Sequence, residues 1–104
     1  MIESGNKLFG LLGKDIGYSF SRDYFSNKFK AENLPHKYVN FDVENLSTLK
    51  SLLKRKDISG MNVTIPYKKK VMPFLDEIDP VAKAIGAVNT IVFKYNKRLG
   101  YNTD

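Results

Sequence analysis

Short apolar runs of strand length alternate in this chain with segments of helical period, and that alternation admits few folds besides a layered α/β domain. Lys7 to Gly13 is an apolar run closed by glycine, which suits a buried strand. Tyr24, Phe25 and Phe29 then recur at helical spacing. Ser21 is predicted as the N-cap of that helix, with Asp23 in its first turn and its end near Asn33, because Pro35 disfavours helix at Leu34. Val39, Phe41 and Val43 alternate with polar residues as a second strand. Asn45 and Ser47 open a helix in which Leu46, Leu49, Leu52 and Leu53 share one face. Ile58 to Ile65 is the third strand, with Met61, Val63 and Ile65 predicted on one face and Asn62 and Thr64 on the other. Pro66 stops it and suits the first turn of a helix from Tyr67 to Val71, which Pro73 breaks. Asp79-Pro80 repeats the start signal for a short helix that ends at Gly86. Ala87 to Phe93 reads as a fourth strand, and Asn96-Lys97 turns it into a last one over Arg98 to Asn102. The expectation is a single three-layer α/β/α domain with a mainly parallel mixed sheet over residues 1–104, a length that buries a core without staples.

Composition then narrows the chemistry. With no Cys and a single histidine, His36, the chain has no thiolate or histidine cluster for a metal, no redox dithiol and no thiol nucleophile. The 17 Lys and Arg residues against 11 acidic ones give a formal charge of +6, spread along the chain except for Lys54-Arg55-Lys56 and Lys68-Lys69-Lys70. The first run falls where the leucine helix ends, and cations favour that end of the dipole. No aromatic residues interleave with the runs, so no nucleic-acid partner is expected. No apolar stretch approaches a membrane span, and Glu3 and Lys7 interrupt any secretory core, which predicts a soluble cytoplasmic chain with no membrane partner. Gly10, Gly13 and Gly17 do not form a dinucleotide fingerprint and no phosphate loop is present, so this chain alone is expected to bind no nicotinamide cofactor.

In open α/β sheets ligands gather at the carboxyl ends of the strands, and four places there carry polar residues. Ser19 and Ser21 lie at a helix start, suited either to binding a carboxylate or phosphate or to capping alone. Gly60 to Lys70 sets Asn62 and Thr64 just before three lysines in a helical first turn, against the dipole. Asn89 and Thr90 interrupt an apolar strand and need partners if buried, whether in the protein or on a ligand. The fourth place is Asn102-Thr103-Asp104.

Ser19-x-Ser21, Gly60-x-Asn62-Val63-Thr64-Ile65-Pro66-Tyr67-Lys68, Gly86-Ala87-Val88-Asn89-Thr90 and Gly100-x-Asn102-Thr103-Asp104 stand in the order of one family. Over its whole length the chain resembles the amino-terminal, substrate-binding domain of shikimate dehydrogenase, a domain of the amino acid dehydrogenase-like type. The resemblance implies reversible hydride transfer between NADPH and dehydroshikimate to give shikimate, a step of chorismate and aromatic amino acid biosynthesis. It implies Lys68 as the catalytic lysine and Asp104 as its partner, with Asn62, Thr64 and Asn89 on the ring hydroxyls and Ser19 and Ser21 on the carboxylate. Lys69 and Lys70 match no part of the motif. Asp15, Tyr18 and Arg22 stand where the family commonly has Pro, His and Pro. The family continues into a Rossmann domain that holds NADP(H), so the chain is expected to be the substrate half without its nucleotide half, inactive alone. A quinate-using relative is the first alternative and a small basic nucleic-acid-binding module, motivated by the charge of +6, the remoter one; a second copy of the chain, as a homodimer, is kept among the partners.

Overall fold

The apolar run near the amino terminus becomes an interior strand of a six-stranded sheet. A computed structural model of the chain describes residues 7–16 and 20–103, with the backbone alone for Phe20 and Ser21. The elements are β1 (Leu8–Gly13), α1 (Phe20–Ala31), β2 (Lys37–Asp42), α2 (Leu46–Leu53), β3 (Ile58–Val63) and α3 (Tyr67–Lys70). A 3₁₀ turn (Met72–Phe74), β4 (Glu77–Ile78), α4 (Pro80–Ile85), β5 (Thr90–Lys94) and β6 (Lys97–Tyr101) complete it. The sheet order is β2-β1-β3-β5-β6-β4. β1 runs parallel to β2 and β3, β4 runs parallel to β6, and β5 runs antiparallel to both β3 and β6. The expected mixed, mainly parallel sheet is therefore present.

Crossover handedness explains the layers. The chain steps from β1 to β2 through α1, then returns past β1 to β3 through α2. Right-handed crossovers made in opposite directions place their helices on opposite faces. On the α1 face, Phe25 stacks on Tyr38 with centroids 4.8 Å apart, and Phe29 lies 6.0 Å from Phe9. On the other face Leu49, Leu52 and Leu53 of α2 join Leu12, Phe41, Met61, Val63 and Ile91 of the sheet, with Tyr67, Val71 and Ala82 closing the core. Gly10 is required there, because a Cβ would stand 2.3 Å from the Phe41 ring and 2.5 Å from the Val39 carbonyl oxygen.

Local signals set most boundaries. Asn45 caps α2, its Oδ1 accepting from Thr48 N at 2.9 Å, and Asp79 caps α4 by accepting from Val81 N at 3.0 Å. Gly86 ends α4 in the left-handed region, at φ 81°. Asn33, at φ 57°, ends the turn after α1, where Leu34 N donates to Phe29 O at 2.8 Å.

Several expectations are corrected. α1 begins at Phe20, so Ser21 lies inside the first turn and is not the cap. β3 ends at Val63 because Thr64 turns the chain, its carbonyl accepting from Tyr67 N at 2.9 Å. Alternation stops there, and Ile65 is 76% exposed instead of facing the core. Leu46 also stands exposed, one turn beyond the leucines that α2 buries. Pro66 is the N-cap of α3 and not part of its first turn, and α3 closes at Lys70 with Val71 as its C-cap. Residues 87–89 form a loop, so β5 starts at Thr90. The hairpin turns on Tyr95 and Asn96, at φ 56° and 60°, which matches the positive dihedrals of a two-residue turn, while Lys97 already pairs with Lys94. β4 was not expected; two residues carry no period to read. Among the described residues no helix is long and apolar enough to cross a membrane.

Candidate functional site

Because β2 and β3 lie on either side of β1, the winding reverses at β1, and in open α/β sheets that reversal puts the ligand position at the carboxyl ends of the flanking strands, here β1 and β3. The sequence puts its most polar strand ending there. Asn62 projects from the α1 face of β3 opposite Thr90, and its Oδ1 accepts from the Tyr38 hydroxyl at 2.9 Å. That bond fixes the amide and leaves Nδ2, which has no partner among the described residues, to donate to a ligand. Thr64 follows, half-buried, its backbone N donating to Leu12 O at 2.9 Å. Its methyl group takes the space over Gly13, where a Cβ would come within 2.7 Å.

Lys68 rises from the single turn of α3, half-buried, whereas Lys69 and Lys70 are exposed. α3 is anchored by the Tyr67 hydroxyl, which donates to the buried carbonyl of Val43. The Lys68 carbonyl accepts from Val88 N at 2.8 Å, so the lysine turn and the loop before β5 are held together. The dipole argument for this run does not survive: a helix of four residues has no separate first and last turns, and the lysines stand at both.

Asn89 is the joint of the cluster. Its backbone bridges two strands, the carbonyl accepting from Val63 N at 2.8 Å and the N–H donating to Tyr101 O at 3.0 Å. Its Oδ1 accepts from Thr90 Oγ1 at 2.9 Å, Thr103 N at 3.1 Å and Thr103 Oγ1 at 3.3 Å. Partners within the protein therefore occupy the oxygen. The nitrogen makes one long bond, 3.5 Å to Asn102 Oδ1, and is the group a ligand could recruit. Asn102 in turn donates from Nδ2 to Ala87 O at 3.1 Å, which ties it to the loop before β5.

Asn62, Thr64, Lys68 and Asn89 are thus brought to one end of the sheet. Ser19 and Asp104 lie outside the described residues, and of Ser21 only the backbone position in α1 is described. Three supporting residues escaped the sequence reading. Tyr38 looked like core, and only its hydroxyl contact reveals the second task. Asp42 accepts from Asp15 N at 2.9 Å and Ile16 N at 3.2 Å, and Asn40 donates to Ile16 O at 2.8 Å, so β2 grips the loop that leads toward Ser19. The signal available was a polar residue at each of two successive outward positions near the end of an otherwise apolar strand. Asp15 itself sits at φ 58° with its N–H in use, a position proline cannot fill. That accounts for one departure from the family pattern.

A groove of about 370 Å³ lies beside the cluster on the α1 face, walled by Phe25, Phe29, Tyr38 and Val92. It is apolar and suits neither a carboxylate nor a polyhydroxylated ring, so the polar rim formed by Asn62 and Thr90, and not the groove, marks the site.

An α/β domain with a converged polar cluster at its switch point is a small-molecule binding domain. Residues 11–91 match the family model described as the shikimate dehydrogenase substrate binding domain. The chain is 46% identical to the shikimate dehydrogenase (NADP(+)) of Methanosphaera stadtmanae, over all of this chain and 38% of that protein. A solved structure of shikimate 5-dehydrogenase from Thermus thermophilus, in complex with NADP(H) and shikimate, superposes with a TM-score of 0.85 at 31% identity, covering 93% of this chain and 38% of that one. The 5-ketofructose reductase of Gluconobacter sp. strain CHM43 is similar in fold, with a TM-score of 0.84 at 27% identity over 94% of this chain and 36% of that one. The chain belongs to the shikimate dehydrogenase family, through its substrate-binding domain. It spans between a third and two fifths of the length of these relatives.

Proposed function

We propose that this chain binds shikimate and dehydroshikimate as the substrate half of an NADP-dependent dehydrogenase. The observation that carries the reading is the joining of α3 to the loop before β5 by the Lys68 carbonyl and Val88 N–H, which sets Lys68 beside Asn89 at the end of β3. A ketone that receives hydride becomes an alkoxide and needs a proton. An ammonium at that oxygen stabilises the developing charge and supplies the proton, and that role is assigned to Lys68. Asn62 Nδ2, held by Tyr38, and Asn89 Nδ2 are donors for ring hydroxyls, and the Thr64 hydroxyl is assigned as a further partner. Ser19 and Ser21 are assigned to the substrate carboxylate, and Asp104 to the reacting hydroxyl and the Lys68 ammonium.

NADP(H) supplies the hydride in the relatives' reaction, and the described residues do not fit it. Gly10 and Gly13 are taken up by close packing on Phe41 and Thr64 and form no cradle for a pyrophosphate. The cofactor is therefore assigned to a nucleotide-binding domain outside this chain, in a cytoplasmic enzyme. Titrating isotope-labelled chain with shikimate should shift the amides of Asn62, Thr64, Lys68 and Asn89 in a saturable way, more than quinate does, while NADPH leaves them unmoved. A flat response at millimolar shikimate overturns the substrate assignment; oxidation of NADPH by this chain with dehydroshikimate overturns the cofactor assignment.

A further inference from the structure

The end of the sheet remote from that cluster carries a second built pocket. It is a cavity of about 260 Å³ between the end of α2 and the β5–β6 hairpin, floored by Leu53, Ile58 and Phe93. Lys54, Arg55, Lys56, Lys94, Lys97 and Arg98 line it, and no acidic residue does. The α2 dipole accounts for the first three cations, but the other three come from a different element and converge on the same space. The two walls are joined, because Arg98 donates from its guanidinium to Leu53 O at 3.2 Å.

Charge pairing leaves a remainder. Asp57 takes Arg55, Glu77 takes Lys97 and Asp76 takes Arg98, which leaves Lys54, Lys56 and Lys94 with no carboxylate partner among the described residues. Gathering three unbalanced cations around one cavity costs energy that an anion would return. Tyr95 adds an aromatic surface: it is 80% exposed on the rim, with Lys94 Nζ 5.1 Å from its ring centroid. The volume falls just under the usual range of about 300–1,000 Å³ for small-molecule sites, which suits a single phosphorylated unit and not a dinucleotide.

We propose that this pocket is a binding site for a small phosphate monoester carrying a planar ring, of the nucleoside monophosphate class, with the phosphate among Lys54, Lys56 and Lys94 and the ring on Tyr95. It is separated from the candidate substrate site by the length of β3, whose first residue lines it and whose last residues carry Asn62. The test is titration of labelled chain at low salt with AMP, adenosine and inorganic pyrophosphate. AMP should saturate and shift amides in 54–58 and 93–98 while leaving Asn62 and Asn89 in place, and adenosine should bind at least about tenfold more weakly. Lys94→Glu should weaken AMP about tenfold. Tyr95→Asn, which keeps a residue tolerant of the left-handed turn, should weaken AMP and leave pyrophosphate unchanged. Absence of saturation, an AMP affinity unaffected by Lys94→Glu or Tyr95→Asn, or binding confined to long polynucleotides would overturn the proposal.

Discussion

The two lysine runs look alike in sequence and sit at opposite ends of β3, and the structure uses them differently. Lys54-Arg55-Lys56 closes α2 at the mouth of the basic pocket, where its one arginine is engaged by Asp57 two residues away. Lys68-Lys69-Lys70 forms a single turn held to the body by the Tyr67 hydroxyl below it and the Lys68 carbonyl beside it. One run is positioned by its own helix, the other by tertiary hydrogen bonds to segments 20 or more residues away. Position is what separates a catalytic candidate from surface charge, and composition does not record it.

Breaking the tertiary bonds should therefore hurt one end far more than the other. The largest effect is expected from Gly13→Ala, whose Cβ would meet the Thr64 methyl at 2.7 Å and Ile16 at 2.9 Å. Overpacking of this kind costs about 1–3 kcal/mol, and chemical denaturation should find it together with loss of the shikimate response. Asn89→Ala removes the acceptor of three hydrogen bonds and should cost about 1–3 kcal/mol, with 102–103 exchanging amide protons faster while the β5–β6 hairpin is unchanged.

Tyr38→Phe sharpens the comparison, since it keeps the stack on Phe25 and deletes only the hydroxyl that orients Asn62. Stability should fall by about 1 kcal/mol or less, and shikimate affinity by more than that loss explains. An affinity equal to the parent chain would reduce Tyr38 to core.

The smallest effects belong to the ion pairs at the other end. Hydrogen bonding to Arg55 and to Arg98 holds the Asp57 and Asp76 carboxyls below their usual value, and Glu77 raises Lys97. A depressed carboxylate contributes stability above its unfolded pKa, near 4, and loses it as pH falls through the folded value; a raised lysine contributes below about 10.4 and loses it as pH climbs through the folded value. Thermal melts should be flat between about pH 5 and pH 9, dip slightly outside that window, and lose the dips in high salt, because the groups are exposed and screened.

Much of this architecture was legible because its signals are local. Asn45, Asp79-Pro80 and Gly86 act on backbone groups within three or four residues, and each sits where the sequence predicts. The misplaced end of β3 has a tertiary cause: Ile65 continues the alternation in sequence, but Thr64 leaves it where its N–H bonds to Leu12 O and its carbonyl closes a turn with Tyr67 N. At the site, the types Asn62, Thr64, Lys68 and Asn89 could be read from their motifs, whereas the Tyr38 clamp and the Asp42 grip on 15–16 join residues 24 to 27 apart.

By itself, then, the sequence determined the alternation of strand and helix, the caps, and the family through its ordered motifs. Tertiary structure alone decided that Asn89 spends its oxygen inside the protein, that Lys68 is half-buried while its two neighbours are exposed, and that cations from α2 and the hairpin share one pocket. The physical reason is range. Propensity and capping act along the chain over a turn or two, while hydrogen-bond allotment and charge convergence depend on which strands the crossovers bring together.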